Sequence, residues 1–207
     1  MRHMVEALDV KRIGYIETDQ LPSFVSLEKN RLSLPFEIFK YENLVIFLAK
    51  VQPAQSEMNE ITKTLANWVV TNKLSESILI GGLDSKLKEE EDEKLKIVPT
   101  KTFPNPERIG SNLDKGLFVT GPLALMLIYF EMMDFPACAL LPYCERERPD
   151  PRAAATAIQT LNELYPNLKI DVEKLYGDAK KIEEEIGLLL KQEREMRERE
   201  EPGGMYV

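Results

Sequence analysis

Apolar residues along this chain fall into two patterns, short continuous runs and helical three-four spacings, and the two alternate. Lys11 to Ile16 alternates weakly and predicts an opening strand. Residues 18 to 42 are broken by Pro22 and Pro35 and hold Phe24, Val25, Leu32, Leu34 and Phe36, which predicts short strands or an irregular lobe. Asn43 to Val51 contains the unbroken run Leu44-Val45-Ile46-Phe47-Leu48-Ala49, a buried strand. Met58, Ile61, Leu65 and Trp68 then mark a helix. Ile78-Leu79-Ile80 is the next buried strand and leads into Gly81-Gly82. Residues 84 to 96 read as a solvated, mobile charge run, Ile97-Val98 as a short strand, and the Pro- and Gly-rich residues 99 to 115 as loop. Leu117 to Thr120 predicts a strand, turned at Gly121 into a helix reaching about Met133 with Pro122 in its first turn. Ala137 to Leu141 is a further buried strand, and Pro142 to Asp150 a polar link. Asp150-Pro151 is an N-cap followed by N1, opening a helix that carries Ala155, Ile158, Leu161 and Tyr165 and stops at Pro166.

Strands alternating with helices predict an α/β fold, a largely parallel sheet flanked by helices, with a long C-terminal helix and a flexible tail. The long helix runs from Asp171 to Glu201. Its Val172, Leu175, Ala179, Ile182, Ile186 and Leu189 form a heptad seam, which packs either on its own domain or between subunits. After Leu190 nearly every residue is charged, with Met196 alone between the charges, so the second half should project into water. The expected division is residues 1–170 as an α/β body, 171–201 as the helix and 202–207 as the tail.

Composition narrows the function. The 207 residues carry 27 Lys and Arg against 35 Asp and Glu, a net charge of −8 without a basic block, which argues against nucleic-acid binding. The most apolar stretch, Leu117 to Phe130, is too short to span a bilayer and contains Gly121-Pro122, so no membrane partner is expected. The first residues lack a signal-peptide pattern, and two cysteines make no disulfide framework; both fit a cytoplasmic setting.

Candidate chemistry is sparse. His3 is the only histidine and sits near the chain's start, which leaves no Ser-His-Asp or Cys-His arrangement and no zinc ligand set. Neither a phosphate loop nor a dinucleotide fingerprint is present, and no metal or cofactor is expected. Two glycine turns remain as possible ligand sites, Gly81-Gly82 after one strand and Thr120-Gly121 at a helix start, both where open α/β sheets bind ligands. The plainer reading is that glycine makes tight turns there. Asp84 and Cys144 read as solvated, and Cys138 and Trp68 as core.

The tail is different. Pro202-Gly203-Gly204 stops the helix and forms a hinge, and Met205-Tyr206-Val207 follow as a short apolar hook. Terminal carboxylates are captured in pockets elsewhere, and tyrosine is a frequent interface anchor.

Met205-Tyr206-Val207 resembles the hydrophobic-tyrosine-any (HbYX) tail of proteasome activators and of some proteasome assembly chaperones. The body is similar to the proteasome assembly chaperone 2 family of archaea. That resemblance rests on Ile78 to Asp84, on Gly116 to Pro122, and on Pro149-Asp150-Pro151 with the helix Ala153 to Leu164, and it covers roughly residues 10 to 185. It implies a non-catalytic α/β domain, distantly like the nucleoside phosphorylase fold, that forms homo-oligomers, with a tetramer favoured. It also implies that the tail enters a pocket between neighbouring α subunits of the proteasome core particle. There the Val207 carboxylate would pair with a lysine, Tyr206 would shift the turn controlling the gate, and Met205 would fill the apolar part. Gate opening without ATP and help in α-ring assembly both fit this resemblance. A phosphorylase-like or nucleotide-binding enzyme using the glycine turns is the alternative, and a plain self-associating scaffold is a third reading.

Overall fold

The structure, a computed structural model, describes residues 1–28 and 30–200. A short helix α1 (Arg2–Ala7) precedes an antiparallel sheet of β1 (Lys11–Tyr15), β4 (Phe36–Tyr41) and β5 (Leu44–Ala49), in the order β1-β4-β5. The hairpin β2 (Ser26–Glu28) and β3 (Arg31–Ser33) branches off between β1 and β4. Helix α2 (Met58–Thr71) leads to the second sheet, made of β6 (Ser77–Ile80), β7 (Leu83–Asp84), β8 (Leu95–Pro99), β9 (Ser111–Asn112) and β10 (Ala137–Cys144). β10 is central, parallel to β6 and β7 and antiparallel to β8, while β9 runs parallel to β8. The fold is α/β as expected, with this second sheet parallel in three of its four pairings. Helices α3 (Gly121–Met132), α4 (Pro151–Leu164) and α5 (Glu173–Glu200) complete it.

β10 shows why the molecule has two helical layers. Side chains alternate across a strand. Cys138 and Leu140 join Ile97, Ala155, Ile158, Leu161 and Leu175, on the α4–α5 side. Ala137, Ala139 and Leu141 face the other way, toward Met126, Leu127 and Phe130 of α3 and, past it, α2. Alanine at 137 leaves room for the rings of Phe130 and Phe135, whose centroids are 4.9 Å apart. Helices α2 to α5 are the ones the sequence predicted, whereas α1 was not foreseen. Ile61, Leu65, Ala66 and Val69 bury one face of α2. Asp150 Oδ1 accepts a hydrogen bond from Ala153 N at 3.0 Å, and Pro151 opens α4.

Four local readings need correction. Residues 99 to 115 are not all loop, because β9 inside them pairs with β8 through Lys96↔Ser111 and Ile97↔Asn112. Leu117 to Thr120 is unpaired extended chain rather than a strand; Gly116 takes a φ of 92° ahead of it, and Phe118 is 84% exposed. The charge run is not uniformly a mobile loop. Its last two residues, Leu95 and Lys96, are buried in β8, and Glu93 is tied down by Tyr143 Oη at 2.6 Å, Lys96 Nζ at 2.9 Å and Ser111 Oγ. Residues Pro142 to Cys144 extend β10 instead of starting a link, because β7 and Leu95 of β8 continue the ladder on both sides of them.

Candidate functional site

Helix α5 is rooted by contacts concentrated at its start. Asn162 clamps the approach to it: its Nδ2 donates to Ile170 O at 2.8 Å, and its Oδ1 accepts from Ile170 N at 2.9 Å. His3 Nε2 lies 2.6 Å from Asp171 O, and Asp171 Oδ1 accepts from Glu173 N at 2.9 Å, so Asp171 caps the first turn. Leu175 and Ala179 then bury against the body, while Ile182 and Ile186 are half-buried. Tyr176 Oη donates to Gln159 Oε1 at 3.1 Å, and Lys174 Nζ reaches Glu6 at 2.9 Å. Arg152 holds Glu183 with two bonds, 2.7 and 3.0 Å, and that hydrogen bond and charge keep the Glu183 carboxyl below its ordinary range.

The heptad seam is therefore used within the chain over its first half, against α4. Its continuation is not covered: Leu188, Leu189 and Met196 are exposed. Among the described side chains, Glu183 makes the last polar contact between α5 and the body. From there to Glu200 the helix spans about 26 Å, at about 1.5 Å per residue. The hinge Pro202-Gly203-Gly204 and the hook Met205-Tyr206-Val207 lie outside the described residues.

The glycine turns are brought close together, but by apolar packing. A Cβ on Gly81 would sit 2.9 Å from a Leu141 methyl and 3.0 Å from one of Leu123, in the first turn of α3. On Gly82 it would meet Cys144 Sγ at 2.5 Å. Both glycines are thus closely packed by neighbouring side chains, which would have to move for a larger residue. Gly121 has a φ of 71° and open space around it, and Thr120 is extended and makes no side-chain cap. Asp84 accepts from Lys86 N at 3.0 Å and caps the start of a short 3-10 turn, which employs it structurally.

The two thiols are poor nucleophiles. Burial pushes Cys138 up to about 12. Burial, and then the charges of Asp150, Asp84 and Glu145, raise Cys144 as well. Among the described residues no group of three His, Cys, Asp or Glu side chains is placed to hold a metal ion, and no helix is long and apolar enough to cross a membrane.

Sequence reasoning missed one buried polar centre. Glu37 is fully buried in β4, with Arg12 Nη1 and Lys50 Nζ each 2.8 Å from its carboxylate. Lys50 also reaches Glu28 at 3.4 Å and Ser33 Oγ. Burial works to raise the Glu37 carboxyl, but the hydrogen bonds and charges of Lys50 and Arg12 together outweigh it and hold it low. In the sequence this centre is three separate charged residues; only the antiparallel pairing of β1 with β4 joins two of them.

A two-faced α/β body carrying a helical arm is the class of protein this geometry defines. The chain belongs to the PAC2 family, whose model matches residues 1–190. It is 26% identical over 203 residues to the protein MJ0106 of Methanocaldococcus jannaschii, across 93% of this chain and 79% of that one. Its structure is similar to PbaA of Pyrococcus furiosus, an archaeal homolog of proteasome-assembly chaperone, with a TM-score of 0.78 and 25% identity, covering 94% of this chain and 82% of PbaA. PbaB of the same organism, an archaeal proteasome activator, shares the fold with a TM-score of 0.71 and 18% identity, covering 91% and 85% of the two chains.

Proposed function

We propose that this chain is a proteasome-binding protein, assembly chaperone-like and/or an ATP-independent activator, which docks Met205-Tyr206-Val207 between α subunits of the proteasome core particle. The observation that carries the reading is α5: a 28-residue helix rooted over its first turns, with Leu188, Leu189 and Met196 exposed beyond them, that precedes the hook in the sequence. The family and the similarity to PbaA support a proteasome-related role. In this reading residues 1–170 form the body, 171–201 the arm and 202–207 the hinged hook. Homo-oligomers, with a tetramer favoured, would present several hooks at once, so that weak single hooks suffice by avidity. The enzymatic alternative draws no support from the packed glycines Gly81 and Gly82 or from the two raised thiols.

The test is peptide hydrolysis by an archaeal proteasome core, with the intact protein and with a version ending at Gly204. Stimulation or core binding by the intact protein that disappears on truncation is the expected result. Equal binding by both forms would remove the hook from the mechanism.

A further inference from the structure

Helix α2 connects β5 to β6, and a strand–helix–strand unit normally lays its two strands side by side. Here the two strands do not pair. β5 pairs with β4 alone and β6 with β10 alone, and among the described residues no backbone hydrogen bond joins β5 to β6. Between them lies a cavity of about 460 Å³, in the size range of ligand-binding clefts.

The ladders determine which backbone groups face the gap. Lys50 N donates to Pro35 O at 2.9 Å, at the end of a register that pairs Phe36 with Ala49 and Tyr41 with Leu44. Hydrogen-bonded pairs alternate along an antiparallel ladder. Leu44, Ile46 and Leu48 therefore bond to β4, while Val45 and Phe47 turn their N–H and C=O groups away from it. On β6, Ser77 N donates to Pro136 O at 3.0 Å and Gly81 N to Leu140 O at 2.9 Å. By the same alternation Ile78 and Ile80 turn theirs away from β10. Val45, Phe47, Ile78 and Ile80 all line the cavity. Two strand edges thus face each other with donors and acceptors unpaired between them, walled by Trp68 of α2 and Leu161 of α4.

We propose that this cleft receives an extended peptide segment of a partner chain, which inserts as a strand and bonds to both edges. Only a peptide backbone supplies alternating donors and acceptors on both of its sides; a compact apolar molecule would leave the edge groups without partners. The charged side chains lining the cavity are Glu42 and Glu76, so a segment flanked by lysine is favoured. This site is separate from the arm and does not depend on proteasome binding.

Trp68 is the only tryptophan in the chain, so its emission reports occupancy without a label. The probe is the peptide acetyl-Lys-Val-Ile-Val-Ile-Lys-amide, with a control of the same side chains whose central backbone nitrogens are methylated. With the full chain we expect a saturable change in Trp68 emission, at least tenfold weaker affinity for the methylated control, and amide exchange at Val45, Phe47, Ile78 and Ile80 slowed at least tenfold by the bound peptide. Equal affinity for both peptides would overturn strand insertion in favour of a plain apolar pocket. No emission change at millimolar peptide, or strong exchange protection of Val45 and Ile78 in the free protein, would overturn the site itself.

Discussion

Glu37 and Glu93 show how single carboxylates hold separate parts of this molecule. Removing one partner of a buried pair leaves a charge without compensation and costs about 3–5 kcal/mol. Glu37→Ala, which strands Lys50 and Arg12, should lose that much in urea unfolding, and β1 with the β2–β3 hairpin should lose exchange protection first. Glu93 titrates differently. Burial pushes it up, but hydrogen bonds from Ser111, Tyr143 and Lys96 bring it down from an ordinary 4.5 to about 2. A depressed carboxyl stabilises the fold above its unfolded value and loses that contribution as pH falls through the folded one. The effect is thus complete above about pH 4.5 and gone near pH 2. Glu93→Gln should cost about 1–2 kcal/mol at neutral pH and flatten the acid limb of the stability curve, measured by denaturant unfolding from pH 5 to pH 2. A mutant with an unchanged acid limb would show that the Glu93 contacts carry no net stability.

At the scale of elements, the helices read most clearly from sequence, because caps and spacing are local. Asp150→Ala removes the bond to Ala153 N and should cost about 1 kcal/mol, read as a shift in the urea midpoint. Leu140→Ala, on the strand face toward α4, should cost about 2–5 kcal/mol by opening a cavity. The runs at β5, β6 and β10 were equally legible, since a strand buried on both faces needs an unbroken apolar sequence. Pairing was not legible. Leu117 to Thr120 has a strand's composition but finds no neighbour, and β8 begins inside a charge run because Lys96 is buried only in company with Glu93 and Asp114. The gap between β5 and β6 runs against the connection rule itself. Such conflicts between local pattern and tertiary outcome are expected where a protein keeps a function. The heptad seam of α5 was visible, but that α4 is its partner depends on the turn between the two helices, which Asn162 clamps at Ile170.

At the scale of the molecule, α3 is apolar on nearly every side, yet Phe118 ahead of it and Ile128 and Met132 on it are exposed. A helix apolar all round normally lies buried on every side. If homo-oligomers form, this is a surface for them, and Ile128→Glu with Met132→Glu should lower the mass seen by sedimentation equilibrium while leaving the folded circular dichroism spectrum intact. An unchanged mass would move self-association elsewhere. The direction of α5 is set at its root. Because α5 is gripped only near its root, any error of angle there is multiplied along its length. A tilt of about 10° at Glu183 displaces the helix end by roughly 5 Å over its last 26 Å or so. Asn162 and Arg152 therefore act as the mount of a pointer: softening them changes little in the fold, yet it scatters where the end of the helix arrives. If several arms meet several sites at once, as proposed, their spacing is governed by residues that never touch the partner.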